Sequence, residues 1–396
     1  MPAQVGGRYP RRMAAPQTVP PVLTDGVVTL RGFAESDVAE IAAIYRDPEV
    51  RRRTTLGAHL GTADARAWTE LVAANWATGD GFGWAIEAAG PDGRPRYAGQ
   101  IDLRPGPPPS VGFLLAPWAR GAGRMSRALR LAAGWGFTGA GFEVLHWACR
   151  AGHVASWRVA HACGFAFDGV RTRALPGPGG LVDAWTAVLL PDPAVPPASR
   201  EPRTTWWPVP VLGGGRIRLR PPSGSDVDRH LATCNDPESR WWDGTRSHEA
   251  DAADAHRWLL HDTELARSLG AAVTWVIADR DDDRYLGTIT VSGMDRPYAP
   301  AGGEIGYRAH PDARGRGHVA AALRRVTRHA FTPVADGGLG RNRLALGTAA
   351  GNGASRRVAE RAGFRQAAAF RADGVCGLDG GIVSDGVWYE LLAADR

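Results

Sequence analysis

The stretch Ala313-Arg314-Gly315-Arg316-Gly317 decides the fold, because its counterpart Ala119-Arg120-Gly121-Ala122-Gly123 stands 194 residues earlier in the same chain. An apolar pattern of helical spacing follows each copy. Its members are Val319, Ala322, Leu323 and Val326 after the later copy and Met125, Ala128, Leu129 and Ala132 after the earlier one. A chain of 396 residues that repeats a glycine turn and its helix predicts two copies of one domain.

The two copies agree over most of their length and in the same order. Matching stretches are Leu30-Arg31 with Leu219-Arg220, Asp47-Pro48-Glu49 with Asp236-Pro237-Glu238, and Gly164-Phe165 with Gly363-Phe364. A Pro-rich stretch that begins at Pro191 is typical of an extended, semi-rigid linker. The sequence therefore predicts a disordered tail over residues 1–23, a first domain over 24–190, a linker over 191–207 and a second domain over 208–396.

Strand and helix patterns alternate within each copy. Strands are expected near residues 27–31, 83–88, 98–103, 111–115, 144–149 and 184–190, and again near 217–220, 274–278, 286–291, 304–308, 343–346 and 387–391. Helices are expected from Asp37 and Asp226, after the glycine turns, and around Ala155-Ser156 and Ala354-Ser355. This order predicts an α/β fold with a mixed sheet in each domain.

Composition indicates a soluble protein of the cytoplasm. Hydrophobic residues make up 44% of the chain, enough for a core in each half. No run of about 18 apolar residues occurs, and Met1 to Thr24 lacks the apolar centre of a signal peptide. The four cysteines have no Cys-x-x-Cys spacing, so neither a disulfide framework nor a metal site is expected.

The chain is basic, with a net charge of +6, and all 47 of its basic side chains are arginines. A bias in codon usage is the simplest explanation, and an anionic partner is the alternative. The densest basic run, Arg51-Arg52-Arg53, is short, and no nucleic-acid-binding signature accompanies it. Nucleic acid is therefore not an expected partner, whereas a phosphate-bearing cofactor fits the charge.

A glycine turn that opens a helix is suited to holding a phosphate group. Glycines let an anion approach the main chain, and the N–H groups and dipole of the helix N-terminus favour negative charge there. The string R-G-x-G is weak by itself, because many ordinary strand-to-helix turns contain it. Two copies in matching contexts favour a pyrophosphate-binding turn.

With these turns the chain resembles the GNAT superfamily of acyl-CoA-dependent N-acyltransferases, and within it the Rim-type branch of ribosomal-protein N-terminal acetyltransferases. Arg314 to Val319 and Arg120 to Met125 are similar to the family's pyrophosphate loop, with Val319 and Met125 in place of its final Gly or Ala. Asn352-Gly353-Ala354-Ser355 is similar to the family's N-x-x-S helix, whose counterpart in the first copy is His153-Val154-Ala155-Ser156.

The resemblance implies two tandem GNAT domains, each with a mostly antiparallel, splayed sheet flanked by helices. It implies that acetyl-CoA binds with its pyrophosphate on the turn and its pantetheine along the preceding strand, and that an amine attacks the thioester directly. The implied cofactor contacts are Arg314, Gly315, Arg316, Gly317, His318, Val319, Asn352, Ile305, Gly306 and Tyr307, with Arg120, Gly121, Ala122, Gly123, Arg124, Met125 and His153 in the first copy.

The resemblance also implies catalytic candidates, each with a structural alternative. Glu304 and Asp373 are rival bases in the second copy, against the roles of a strand-end carboxylate and a turn residue. Ser355 and Ser156 are candidate proton donors to the thiolate, or helix-start residues. His153 is a further candidate base, or a surface residue. Ser110 replaces Glu304 in the first copy, which therefore lacks an obvious base.

The acceptor is expected to be the amine of a small molecule or of a peptide N-terminus. Trp241 and Trp242 are candidates for an acceptor wall, with packing between helices as the alternative. The second domain is expected to be the catalyst, the first being a second active site or a degenerate copy, in a monomer with internal pseudo-symmetry or a homodimer. The rival function is an acyl-CoA-sensing or interaction module that binds the cofactor without catalysis.

Overall fold

The computed structural model describes residues 19–53, 61–177, 179–196, 199–243, 251–378 and 380–395. The chain divides into two compact units between Arg203 and Thr204, within the stretch that the sequence predicts as a linker. We call them the first unit and the second unit. Each contains one eight-stranded sheet.

The first unit orders its strands β1-β2-β3-β4-β5-β6-β8-β7. Its strands are β1 (Leu23–Thr24), β2 (Val28–Arg31), β3 (Phe82–Ala89), β4 (Pro95–Arg104), β5 (Ser110–Leu115), β6 (Leu145–Arg150), β7 (Ala166–Gly177) and β8 (Gly180–Leu189). Its helices are α1 (Val38–Arg46), α2 (Pro48–Arg53), α3 (Thr62–Thr78), α4 (Arg124–Thr138) and α5 (Val154–Ala162). Neighbouring strands are antiparallel except β5 and β6, which are parallel.

The second unit repeats this order as β9-β10-β11-β12-β13-β14-β16-β15. Its strands are β9 (Leu212–Gly214), β10 (Ile217–Arg220), β11 (Val273–Asp279), β12 (Tyr285–Ser292), β13 (Gly302–Ala309), β14 (Arg343–Ala349), β15 (Arg365–Cys376) and β16 (Ile382–Leu392). Its helices are α6 (Val227–Asn235), α7 (Pro237–Asp243), α8 (Ala252–His256), α9 (Thr263–Ser268), α10 (His318–Phe331) and α11 (Gly353–Arg361), with a π-helical turn, Arg257–Asp262, between α8 and α9.

These two mixed, mostly antiparallel sheets confirm the predicted fold class. The sequence did not indicate β7 or β15, the long strands after each Gly-Phe pair, because most of their side chains are exposed and show no alternation. Asp373, whose alternative role was that of a turn residue, lies in β15. The short strand β1 begins at Leu23, inside the predicted tail, of which residues 1–18 lie outside the described part of the chain.

In each unit an ion pair joins the end of the second strand to the start of the first helix. In the second unit Arg220 donates to both carboxylate oxygens of Asp226 at 2.7 and 2.8 Å, and Asp226 also accepts from the main-chain N–H of Ser223 at 2.8 Å. Asp226 is buried, with 2% of its side chain exposed. In the first unit Arg31 and Asp37 repeat the pair. This pairing holds the start of the helix against the end of the second strand.

The two strands that precede and follow the glycine-turn helix separate along their length. In the second unit β13 pairs with β14 only over Gly302 to Glu304, although β13 continues to pair with β12 as far as Ala309. In the first unit β5 pairs with β6 only at Ser110 and Val111. Each sheet is therefore open between these two strands, on the side toward the glycine turn.

The stretch between the units is packed against each of them. In the first unit Arg200 is buried beside Phe137, and Arg203 donates to the carbonyl of Gly164 at 3.1 Å. In the second unit Trp207 is buried and donates to the carbonyl of Gly270 at 3.1 Å. The helices of the described residues include none with the length and apolarity that a membrane crossing requires.

Candidate active site

Both glycine turns adopt a left-handed backbone that favours glycine. Gly315 and Gly317 have φ of 72° and 76°, and Gly121 and Gly123 have φ of 81° and 70°. A side chain at these φ values is strained, although no atom lies within 4 Å of where its Cβ would stand. The open space above each turn is available to a ligand.

The turns present a row of main-chain N–H groups to that space. The first hydrogen bond of α10 runs from Ala321 N–H to Gly317, and that of α4 runs from Arg127 N–H to Gly123. Among the described residues none accepts a hydrogen bond from the N–H groups of 315–320 or of 121–126. These N–H groups are not tied up by neighbouring side chains, as an anion-binding turn requires.

A cavity of about 360 Å³ in the second unit extends from the turn along the end of β13 that does not pair with β14, and reaches the start of α11. It brings together nine of the predicted residues, which are Trp242, Tyr307, Arg314, Gly315, Gly317, His318, Val319, Asn352 and Ser355. Ile305 instead points into the core, with 2% of its surface exposed, while Gly306 and Arg316 lie beside the cavity without lining it.

The Arg314 side chain points away from the turn. It donates to Asp236 at 2.5 Å, to Glu238 at 2.8 Å and to the Ser239 hydroxyl at 2.9 Å, all at the start of α7. Arg120 in the first unit donates to Asp47 at 2.7 Å in the same manner. The guanidinium groups therefore hold the two turns against the starts of α7 and α2.

Two hydroxyl groups meet on the cavity wall. Tyr307 on β13 has its hydroxyl 3.0 Å from the Ser355 Oγ and 3.1 Å from the Ser355 carbonyl. Burial raises the pKa of Tyr307 to about 12. Asn352 is the cap of α11, because its side chain accepts from the Ser355 N–H at 3.0 Å. The Ser355 hydroxyl is thus held at the cavity by groups from two elements.

The two rival bases lie outside the cavity lining, and each has a partner. Glu304 accepts from Arg296 at 3.0 Å, and a third of its side chain is exposed. Asp373 accepts from the indole N–H of Trp388 at 2.7 Å. Glu304 occupies the last position at which β13 pairs with β14, so it stands where the gap begins.

The paired tryptophans of α7 have different surroundings. Trp242 lines the cavity and lies against Gly351, where a Cβ would meet its ring at 3.4 Å. Trp241 is 39% exposed, and its carbonyl accepts from the Gly377 N–H at 2.7 Å. The structure therefore places Trp242 at the cavity and Trp241 away from it.

In the first unit a cavity of about 520 Å³ lies at the gap between β5 and β6. Ser156 and His153 line it, but the turn residues Arg120 to Met125 do not. The Ser156 hydroxyl accepts from the indole N–H of Trp147 at 3.3 Å, and Phe113 occupies the position of Tyr307. Burial, with the nearby charges of Arg53, Arg150 and Arg120, lowers the pKa of His153 to about 4.

Met125 and Arg124 in the first turn have structural surroundings. Met125 is buried in the core, and the Arg124 guanidinium lies over the Trp118 ring and donates to the Ala119 carbonyl at 3.3 Å. Sequence reasoning overlooked Asp102, a carboxyl group that lines the first cavity. The sequence pattern that would have indicated Asp102 is its position on β4, the strand next to β5, two residues after Gln100 and on the same face.

No group of three or more His, Cys, Asp or Glu side chains that could hold a metal ion occurs in the part of the chain that the structure describes. All four cysteines fall within it; they are buried and form no disulfide.

Comparison with known proteins gave one family. The model of the acetyltransferase (GNAT) domain matches residues 28–166 and again residues 216–365. A search of curated proteins gave no match.

Solved structures resemble about half of the chain. A GCN5-related N-acetyltransferase from Brucella melitensis is 24% identical, with 49% of this chain and 84% of that chain covered, at a TM-score of 0.38. Mycobacterium smegmatis RimJ in complex with CoA-disulfide is 21% identical, with coverage of 44% and 88%, at 0.39. The ribosomal-protein-S5-alanine acetyltransferase from Vibrio fischeri is 17% identical, with coverage of 47% and 98%, at 0.40.

Proposed function

The chain belongs to the acetyltransferase (GNAT) family, and we propose that it moves an acetyl group from acetyl-CoA to a primary amine by direct attack, with the second unit as a catalyst. The observation that carries the proposal is the cavity of the second unit. It joins a glycine turn with open main-chain N–H groups to the end of β13 that has no pairing with β14.

The residues of this cavity suit a phosphate-bearing thioester. The N–H groups of 315–320 and the N-terminus of α10 suit the diphosphate, and Arg357 and Arg361 of α11 supply positive charge on the same wall. The gap between β13 and β14 suits a narrow chain, because β13 has no partner strand there. Acetyl-CoA supplies an acetyl group activated as a thioester.

The acceptor must lose a proton before it can attack. An alkyl ammonium has a pKa near 10, so its neutralisation at pH 7 costs about 4 kcal/mol. We assign this proton to Glu304, because it stands where the gap begins and Arg296 holds its carboxylate at 3.0 Å. The same contact raises the pKa of Arg296. Asp373, bonded to Trp388, is the rival base.

The Tyr307 and Ser355 hydroxyl groups serve the leaving thiolate. They are 3.0 Å apart, and both line the cavity. Hydroxyl groups held in place can donate a hydrogen bond to the negative charge that develops on sulfur. Trp242 forms one wall of the path by which the acceptor reaches the gap.

A thiol-release assay with a panel of amines tests this function. The panel contains small-molecule amines and peptides with free N-termini, which are the two acceptor classes that the sequence leaves open. The chain carries Gly123→Asp, because a carboxylate in the first turn repels a diphosphate and Asp tolerates a left-handed backbone. Turnover by the second unit is then measured alone.

We expect Glu304→Gln in this background to lower kcat about 10²-fold or more while CoA affinity is kept. Glu390→Gln is the matched control, since Glu390 on β16 is a partly exposed carboxylate paired with Arg343 of β14. Loss of turnover in Asp373→Asn instead would assign the base to Asp373. Tight CoA binding without turnover of any amine would contradict the acetyltransferase function and support an acyl-CoA-sensing module.

A further inference from the structure

The first unit carries a carboxyl group beside its cavity where the second unit has a hydroxyl. Asp102 on β4 pairs across the sheet with Gly112 on β5, and the equivalent pair in the second unit is Thr290 on β12 with Gly306 on β13. Asp102 and Gly112 both line the first cavity. The acidic group that is missing at Ser110 is therefore present on the adjacent strand.

The surroundings of Asp102 differ from those of its counterpart Thr290. Both residues opposite it in the sheet, Gly83 on β3 and Gly112 on β5, lack side chains. In the second unit Thr274 fills the position of Gly83, and its hydroxyl lies 2.9 Å from the hydroxyl of Thr290. In the first unit the Val72 side chain lies above Gly83 and the Arg104 guanidinium lies above Gly112. The carboxyl group of Asp102 is therefore paired with Arg104, where the second unit has a pair of hydroxyls.

The cavity extends from Asp102 to Ser156 of α5. Successive residues of a strand point to opposite faces, so Gly112 and Phe113 lie on different faces. Both nevertheless line the same cavity, as does Ser156 of α5. This is possible because β5 and β6 stop pairing after Val111, and the resulting gap passes through the sheet.

The surroundings of Asp102 suit a base. Burial raises the pKa of the carboxyl group, although Arg104 opposes this shift with a contact of 2.6 Å. Arg104 is 62% exposed and Asp102 is 26% exposed, so an acceptor can reach the carboxylate. The other charged or titratable side chains of the cavity are Asp80, Arg53, Arg150, His153, Cys149 and Tyr45.

We propose that the first unit is a second acetyl-transfer site in which Asp102 is the base, acting on a small primary amine with an apolar body. The inference rests on the proposed function. The apolar body is inferred from Trp68 and Phe82, whose rings line the same cavity.

The reaction balances with one base. The Asp102 carboxylate takes one proton from the ammonium group, and the freed lone pair of nitrogen forms a bond to the thioester carbon. The carbon–sulfur bond breaks, and its electron pair stays on sulfur. The second proton of the nitrogen goes to the thiolate, which the Ser156 hydroxyl can assist because it accepts from Trp147 and keeps its own hydrogen. Asp102 then releases its proton to solvent.

The test uses the full chain with Gly317→Asp, which places a carboxylate in the turn of the second unit. We expect this chain to bind one CoA in a calorimetric titration and to keep turnover of small apolar amines. Asp102→Asn added to it should lower kcat by 10²-fold or more, with CoA affinity unchanged. It should also remove the rise of kcat/KM with pH that a carboxylate base produces.

Three further variants serve as controls. Asp92→Asn removes the same charge from the exposed turn of the same β3–β4 hairpin and should change nothing. Asp102→Thr copies the residue of the second unit, and Asp102→Glu keeps the carboxylate and should restore part of the activity. CoA binding by each variant reports that the first unit is folded.

The outcomes separate this inference from the proposed function. A Gly317→Asp chain that binds one CoA without turnover, or an Asp102→Asn variant within threefold of its parent, overturns the inference alone. A wild-type chain that acetylates no amine in the panel overturns the proposed function and the inference with it.

Discussion

Replacement of Tyr307 by Phe removes one hydroxyl group and leaves the ring in the wall of the cavity. The first unit has Phe113 at this position, so the fold accepts the change. The hydroxyl is 3.0 Å from the Ser355 Oγ. Loss of such a hydrogen bond costs about 1 kcal/mol of stability, since water in the cavity can replace it.

The pKa of Tyr307 sets the size of the catalytic effect. Its pKa is about 12, and a thiol has a pKa of about 8.5, so complete transfer of the tyrosine proton to the thiolate is uphill by about 5 kcal/mol. The hydroxyl pair therefore acts by donating a hydrogen bond to the sulfur. A hydrogen bond to a charged group contributes about 1.5–3 kcal/mol, which corresponds to about 10- to 150-fold in kcat.

The assay is thiol release at saturating acetyl-CoA in the Gly123→Asp background, with CoA affinity measured by calorimetry. We expect Tyr307→Phe to lower kcat within that range and to leave CoA affinity unchanged. Tyr298→Phe is the matched control, because Tyr298 is 82% exposed and does not line the cavity. A kcat within twofold of the parent, or equal losses in the two variants, would refute the role of the hydroxyl pair.

Three further predictions concern ion pairs and titration. Arg314→Ala should lower the free energy of unfolding of the second unit by about 1–3 kcal/mol at pH 7. Burial raises the pKa of Asp236, but the contact with Arg314 outweighs it and lowers that pKa. The loss should therefore shrink as pH falls below about 4, which urea unfolding at several pH values checks. Asp226→Asn should lower the free energy of unfolding by about 3–5 kcal/mol, because the carboxylate is buried with Arg220. The Asp283 side chain contacts the same arginine but is 43% exposed, so Asp283→Asn should lower it by less than about 1 kcal/mol. Equal losses in the two variants would contradict the effect of burial. Between pH 7 and pH 5 the first unit should lose about 2 kcal/mol less free energy of unfolding in His153→Asn than in the wild type. The reason is that the folded pKa of His153, about 4, lies below the unfolded value of 6.5, so only the unfolded chain binds the proton in that range. An unchanged pH dependence of the melting temperature would contradict this prediction.

The sequence predicts the glycine turns well because their requirement is local. Gly315 and Gly317 need only the left-handed backbone of a strand-to-helix turn, and a second copy repeats it. The long strands β7 and β15 were not predicted because each is stabilised by pairing with one neighbouring strand and has no apolar face that the sequence could show.

Other features needed the fold. The contact of Arg314 with Asp236 spans 78 residues, yet both positions recur in the first copy as Arg120 and Asp47, so the repeat contained the signal. The carboxyl group of Asp102 becomes relevant only because the fold places it in one cavity with Ser156.

Cofactor binding in both units requires the main-chain N–H groups of the two glycine turns. Calorimetric titration of the full chain with CoA tests them directly. We predict two CoA per chain for the wild type, one for Gly123→Asp, one for Gly317→Asp and none for the double variant. A double variant that still binds CoA with wild-type affinity would contradict the account.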